Sequence, residues 1–377
     1  MSARDRTLSL LETAVGGGIA DVPTPVPVVD LDRVEANVRR LSEYARAHSI
    51  ELWPHTKTHK STIFGRLQRD LGAAGLTVAK TGEAEVFADS DLGPLLMHFP
   101  PLGTAVWKRL ARVAASVPLT IALDSLVSAE GLSAALSSAG VRAEVLIELD
   151  TGLRRTGLGD VAAAVALAQE VDRLPALAVA GISTYPGHLR GTPEELRPGL
   201  RELDSMLRET ADGFERVGLS CERISGGSTP TRYLTHETCV TELRAGTAVF
   251  LDRQSAASEP DLELDACALT VEVSVVSTSV PGRIAIDAGS KTLTSDPHPA
   301  GGFGAVVGHP ELSIVALNEE HGYIELGSSE AGFAVGDRVS VIPNHVCACV
   351  NLHDFLLGAR DGAIEQLVEV EARGLIR

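Results

Sequence analysis

The sequence is poor in positive charge. Its 33 lysines and arginines face 50 aspartates and glutamates, giving a formal charge of −17 over 377 residues. A phosphodiester backbone demands a basic face, so no nucleic-acid partner is expected. Long apolar runs are also missing. No uncharged apolar run approaches the ~18 residues that span a bilayer, and Glu12 breaks the N-terminal apolar stretch where a signal peptide would lie. No membrane partner is expected either. Cysteine is scarce and odd in number: Cys221, Cys239, Cys267, Cys347 and Cys349. Without an export signal this argues against a disulfide framework and for single thiols or metal ligands. Low-complexity segments and repeats of 20–50 residues are absent. What is present is 44% apolar residues, 22% charged ones and a mean hydropathy of +0.12, enough to bury a full core. The composition describes an acidic, cytoplasmic protein with one large and one smaller domain.

From about residue 25 to 255, short β-branched apolar runs alternate with helix-period segments. The expected strands are Val26–Val29, Ile50–Pro54, Leu76–Ala79, Leu95–Met97, Leu119–Leu123, Ala143–Leu149, Val179–Ser183 and Arg223–Ser225. Between them, Val34, Val38, Leu41 and Ala45 follow i, i+4, i+7, i+11 behind Asp30, and Val161, Val165, Ala168 and Val171 do so behind Asp160. Eight such alternations predict an α/β fold, a (β/α)₈ barrel, with an open doubly wound sheet as the rival. Beyond residue 255 the strand-like runs Ala266–Val276, Arg283–Ile286, Glu311–Ala316, Tyr323–Leu326 and Arg338–Ile342 are separated by Gly, Pro and Asp clusters. They predict a second, mostly β domain, formed by residues 256–377.

Chemistry in such a barrel gathers where strands end. His55-Thr56-Lys57-Thr58-His59-Lys60 follows the second expected strand. A lysine among other positive groups at a buried strand end is driven toward the neutral amine that forms Schiff bases. A solvated basic turn is the plain alternative, and Lys57 and Lys60 compete for the role. After the expected strand Arg223–Ser225 comes Gly226-Gly227-Ser228-Thr229, where glycines let backbone N–H groups approach an anion and the hydroxyls add donors. Gly-Gly-Ser is also an ordinary turn. Arg154 and Arg155 follow Asp150-Thr151-Gly152, and read either as a surface salt-bridge pair or as a guanidinium aimed at a ring nitrogen or carboxylate. Tyr185, one of four tyrosines, heads Tyr185-Pro186-Gly187-His188 and is placed to stack on a ring or simply to pack. In the β domain, His345, Cys347 and Cys349 would share one face if the strand ending at Ile342 continued. Imidazole beside thiolate is a donor set zinc favours. Two such side chains leave coordination positions open, as a catalytic metal site does.

Taken in order, these motifs resemble a known family. Pro54-His55-Thr56-Lys57-Thr58-His59-Lys60, Asp150-Thr151-Gly152 with Arg155-Thr156-Gly157, the loop Gly226–Thr231, Glu242–Thr247 and Pro343-Asn344-His345-Val346-Cys347 look like the fold-type III pyridoxal-phosphate enzymes of the D-threonine aldolase and D-serine dehydratase group. The likeness runs from about Pro23 to Asp354. It implies an alanine-racemase-like barrel over 25–255 and a β domain over 1–24 and 256–377, paired as a homodimer. It implies that Lys57, with His55 beside it, holds pyridoxal 5'-phosphate covalently, that Arg155 faces the pyridine nitrogen, and that Tyr185 lies at the cofactor. Gly226, Gly227, Ser228 and Thr229 would bind the phosphate. His345 and Cys347 would hold a divalent metal, zinc before manganese or magnesium. In this group a cysteine as the second metal ligand resembles the dehydratases, and an aspartate the aldolases. The implied activity is therefore that of a lyase on small D-3-hydroxy amino acids, D-serine dehydratase-like, with D-threonine aldolase chemistry as the alternative. An amino-acid racemase and a non-catalytic pyridoxal-phosphate carrier are the weaker readings. In the aldolases a histidine shortly after the tyrosine takes the substrate hydroxyl proton, and His188 is the candidate here. Ala248 stands where many relatives carry an aromatic.

Overall fold

The computed structural model describes residues 3–259, 262–327 and 332–377. The chain forms two compact units, Val38–Gly246 with Gly374–Arg377, and Met1–Asn37 with Thr247–Arg373.

The first unit is built on eight parallel strands: Glu51–Leu52, Leu76–Val78, Leu95–Met97, Leu119–Leu123, Ala143–Leu149, Leu177–Thr184, Arg223–Gly226 and Glu242–Leu243. From Leu76–Val78 onward each strand pairs with the next in sequence, and the last pairs with Glu51–Leu52. The remaining seam closes through Ala74 N–H donating to Leu52 C=O (2.8 Å) and Thr77 N–H to Pro54 C=O (2.9 Å). The result is an eight-stranded parallel barrel, the (β/α)₈ architecture that the alternation predicts. Among the helices between the strands, several start where the sequence supplies a cap. The Asp160 carboxylate accepts the Ala163 N–H (2.8 Å) at the head of Val161–Asp172. Thr192 and Glu195 form a reciprocal capping box ahead of Pro193–Arg216. The apolar faces of these helices supply Leu110, Leu132, Ala164 and Phe214, which pack with Ile121 and Ile147 of the strands. The N-terminal end of the barrel is filled by Trp53, Leu96 and Leu146. Arg223 lies over the Trp53 ring, 4.9 Å from its centroid, and pairs with Glu144 and Glu242.

One glycine is required by this sheet. Between Ala143–Leu149 and Leu177–Thr184 the register skips a residue, pairing Val145 with Val179 but Leu146 with Gly181. A Cβ on Gly181 would stand 1.9 Å from the Arg223 carbonyl oxygen of the next strand. Gly181→Ala should therefore cost about 3 kcal/mol, as overpacking against backbone does. Urea unfolding would show this as a lower midpoint, and an unchanged midpoint would contradict the register described.

The second unit carries a nine-stranded, largely antiparallel sheet. Val26–Asp30, expected as the first barrel strand, lies here instead, antiparallel to Leu269–Ser277 and parallel to Phe355–Arg360. Its β-branched run correctly signals a strand, but local pattern carries no information about which sheet receives it. The eighth barrel strand is Glu242–Leu243, whose two residues are too few to register as a period. Gly304–Val306, Phe355–Arg360 and Ala363–Glu369 are further strands that the sequence reading missed. Among the described residues, no helix is long and apolar enough to cross a membrane.

Candidate active site

Lys57 sits in a short 3₁₀ turn, Thr56–Thr58, directly after the first barrel strand. The turn is pinned from below, because Thr56 Oγ1 donates to Thr77 C=O (3.0 Å) and Thr58 is buried. His55 Nδ1 accepts the Lys57 N–H (3.4 Å). Lys57 and Lys60 differ in their partners. Lys60 is 7% exposed and its Nζ lies 3.4 Å from Glu83 Oε1, itself buried. Lys57 Nζ instead lies over the Tyr185 ring, 5.4 Å from its centroid, and Arg155 Cζ is 5.0 Å from the same centroid. Residues 57, 155 and 185, from three strand ends, thus converge on one aromatic face.

Beneath them lies a charged group that the sequence reading did not single out. Arg244, the first residue after Glu242–Leu243, is buried, and its Nη2 donates to the Thr184 and Ser225 carbonyls. Burial pulls its guanidinium down to about 10. Glu148, at the end of Ala143–Leu149, is pushed up, chiefly by burial, while Thr156 Oγ1 donates to its Oε1 (2.8 Å). His98 Nε2 stands 3.9 Å from that same oxygen. Both His55 and His98 are held well below the usual imidazole range, first by burial and then by the positive charges of Arg244, Arg155 and Lys57. A carboxylate inside the apolar strand Ala143–Leu149 was the available signal for Glu148, and an arginine directly behind a buried leucine was the one for Arg244.

The glycine loop follows the seventh barrel strand, one strand before the last. Gly227 adopts φ +79°, and a Cβ there would lie 2.5 Å from Leu243 Cδ1, so a side chain is excluded on both counts. Behind it is the six-residue 3₁₀ helix Arg232–Glu237. The loop is closed by side chains. Ser228 N–H donates to Thr231 Oγ1 (3.0 Å), and Arg232 Nη1 donates to Thr229 C=O (2.6 Å).

This mouth suits a compact, multiply charged anion with hydrogen-bond acceptors. Three cations surround it. Arg244 Nε, Ser183 Oγ and Ser225 Oγ, all at strand ends, are buried without a protein partner. Pyridoxal 5'-phosphate has that chemistry, and the residues fit it.

In the other unit, Val346–Val350 is a short helix, so the alternation expected for His345, Cys347 and Cys349 does not occur. Cys349 turns into the core, where its Sγ donates to Thr292 C=O (3.2 Å) and burial pushes the thiol up to about 12. It takes no part in a donor set. His345 and Cys347 do stay together. A hydrogen bond between them, working against burial and helped by Asp296, raises the imidazole to about 9. The buried Asp252 carboxylate fixes their backbone by accepting Val346 N–H (2.9 Å) and Ser255 N–H (2.8 Å). Among the described residues, no group of three or more His, Cys, Asp or Glu converges as a metal site. A borderline-soft divalent cation fits the imidazole–thiol pair, with its other positions left to small ligands.

Residues 29–254 match the family model for the alanine racemase N-terminal domain, and residues 268–359 match that for a putative serine dehydratase domain. The chain belongs to the alanine racemase N-terminal domain family. It is 33% identical to a D-threonine aldolase from Arthrobacter sp. over 96% of both chains. A solved D-threonine aldolase from Filomicrobium marinum superposes with a TM-score of 0.90 at 28% identity, covering 95% of this chain and 97% of that one. D-threo-3-hydroxyaspartate dehydratase from Delftia sp. HT23 has been solved as a cysteine-to-alanine variant in a metal-free form. That structure superposes with a TM-score of 0.85 at 28% identity, over 93% and 98% of the two chains. Another structure of the same enzyme replaces a histidine two positions earlier. Members of this family depend on pyridoxal phosphate, and this chain is a lyase of the branch that contains the aldolases and dehydratases.

Proposed function

We propose that the protein eliminates water from a small D-3-hydroxy amino acid, D-serine in the first instance, to give an enamine whose hydrolysis yields an oxo acid and ammonia. The observation that carries this reading is the imidazole–thiol pair of His345 and Cys347. It has the histidine–cysteine spacing of the residues replaced in the Delftia dehydratase, whose cysteine variant was solved metal-free. Bound pyridoxal phosphate supplies the carbonyl that captures the substrate amine and the ring that withdraws electrons from Cα, and a divalent cation, zinc by the donor set, supplies Lewis acidity at the leaving hydroxyl.

The chain's own residues do the rest. Gly227 brings the backbone close to the phosphate, and Ser228 and Thr229 add hydroxyls. Lys57 would hold the cofactor, and its Nζ is the amine that would take the α-proton. The Tyr185 ring packs against both that amine and the Arg155 guanidinium, and so keeps the two groups near one another. Arg244 offers Nε–H from beneath. A guanidinium at the pyridine nitrogen donates but does not accept a proton, so the ring stays a modest electron sink and metal help with hydroxide loss gains importance. His345 and Cys347 hold the cation.

A retro-aldol reading, releasing glycine and an aldehyde, is favoured by the position of His188. Its imidazole packs on the Asp150–Gly152 turn, so close that a Cβ on Gly152 would stand 2.7 Å from His188 Nε2. That placement would let it take a substrate hydroxyl proton near Tyr185. Product analysis separates the two. The protein loaded with zinc and pyridoxal phosphate, given D-serine, D-threonine and D-threo-3-hydroxyaspartate, should release ammonia and oxo acid. Glycine with an aldehyde would establish the second reading instead. Chelation should abolish turnover while leaving the cofactor's visible absorbance intact, and full activity after chelation would remove the metal from the scheme.

A further inference from the structure

The Asp296 carboxylate lies 2.5 Å from Nδ1 of His345. The segment that carries it is laced in place. Asn344 Nδ2 donates to the Asp296 carbonyl (2.9 Å) and to that of Gly302 (2.8 Å). Gln254 Nε2 donates to Pro297 C=O (3.0 Å), Arg253 Nη1 to Gly301 C=O (2.7 Å), and His298 Nε2 meets Arg253 C=O (3.2 Å). Ser295, Pro297, Pro299 and Ala300 are exposed, so this strap does not exist to fill the core. Its polar ties run to residues 253–254, next to the buried Asp252, and to Asn344, next to His345. What they fix is the carboxylate against the ring.

With Nδ1 occupied, the nitrogen left to a cation is Nε2. A cation bound there sits across the ring from Asp296, so that carboxylate oxygen cannot ligate the same ion. The thiol is matched in the same way, because Thr247 Oγ1 lies 3.5 Å from Cys347 Sγ. We propose that Asp296 is the positioning residue of the cation site: by accepting the Nδ1 proton it fixes the tautomer and the ring plane of His345, so that the Nε2 lone pair is presented together with Cys347 Sγ. A carboxylate behind a ligating imidazole raises ligand basicity and removes a rotational freedom that binding would otherwise have to freeze. The sequence signal was faint, a single aspartate in Ser295-Asp296-Pro297-His298-Pro299, 49 residues before the histidine.

The inference rests on the metal reading above, and the experiment keeps the two apart. Zinc affinity of the cofactor-loaded protein would be measured by competition with a chromophoric chelator, for the wild type, Asp296→Asn, Asp296→Ala and His345→Ala. Asp296→Ala should bind zinc roughly 10–100-fold more weakly. Asp296→Asn keeps an acceptor for Nδ1–H without the charge, so it should fall between the alanine variant and wild type. Thermal midpoint and visible absorbance should be unchanged in both, because the strap keeps its other ties. Both Asp296 variants binding within twofold of a wild type that His345→Ala does weaken would overturn the inference alone. A wild type that binds no better than His345→Ala would overturn it together with the metal reading. If the alanine variant does not fold, the asparagine variant decides.

Discussion

Lys57→Ala should fold, bind pyridoxal phosphate reversibly and lose the visible absorbance of the covalently held cofactor, with turnover reduced by roughly 10⁴. Folding should survive because the turn is held by its neighbours. Thr56 is tied to Thr77, Thr58 is buried, and the Lys57 side chain contributes a contact with the Tyr185 ring. Activity should not survive, since in the proposed function this one amine would both anchor the cofactor and move the α-proton. Lys60→Ala makes the opposite prediction. It strands the buried Glu83 carboxylate, and losing one partner of a buried ion pair costs about 3–5 kcal/mol. Yet it should keep the visible band. Absorbance spectra and urea unfolding of the two variants decide the matter. A Lys57→Ala protein that retains the band, or a Lys60→Ala protein that loses it, would reverse the assignment.

Acidification should destabilise the cofactor-free protein well before its carboxylates titrate. His55, His59 and His98 are buried, and burial first of all holds each below its ordinary value, His59 at about 4. An unfolded chain binds a proton at each of these rings near pH 6.5, whereas the folded chain does not. Stability therefore falls as pH drops below 6.5 and stops falling once the folded-state value is passed. For His59 alone that window, from 6.5 to about 4, is worth about 3 kcal/mol, a large share of the ~5–15 kcal/mol typical of a domain. Glu148 and Asp252 act in the opposite sense. Burial raises both, so protonating them in acid relieves a penalty present at neutral pH. They reduce the loss. Urea midpoints at pH 7, 6 and 5 should decline steadily, and a flat profile over that range would show that the imidazoles accept protons in the folded state.

Much of this arrangement was legible before any coordinates. The Asp160 cap and the apolar stripe behind it define a helix by themselves, because capping and 3.6-residue periodicity are local properties. Lys57, Arg155, Tyr185 and the Gly226–Thr229 loop could each be suspected from their position after a strand. Their joint reading, however, came from the order of motifs along the chain. Arg244 and Glu148 went unremarked because a charge within or behind a strand has the same local appearance whether it faces solvent or the barrel axis.

The sequence by itself determined the alternation of strand and helix, the excess of negative charge, and the types of side chain available for chemistry. The tertiary structure alone decided which of two adjacent lysines is paired with Glu83, that Cys349 turns into the core while Cys347 stays with His345, and that Val26–Asp30 joins the β sheet rather than the barrel. It also brought Asp296 to His345 across 49 residues of chain. The physical reason is range. Periodicity, caps and turns are set by interactions over a few residues, whereas ion pairing, burial and ligand orientation depend on partners that only the folded chain brings within hydrogen-bond distance.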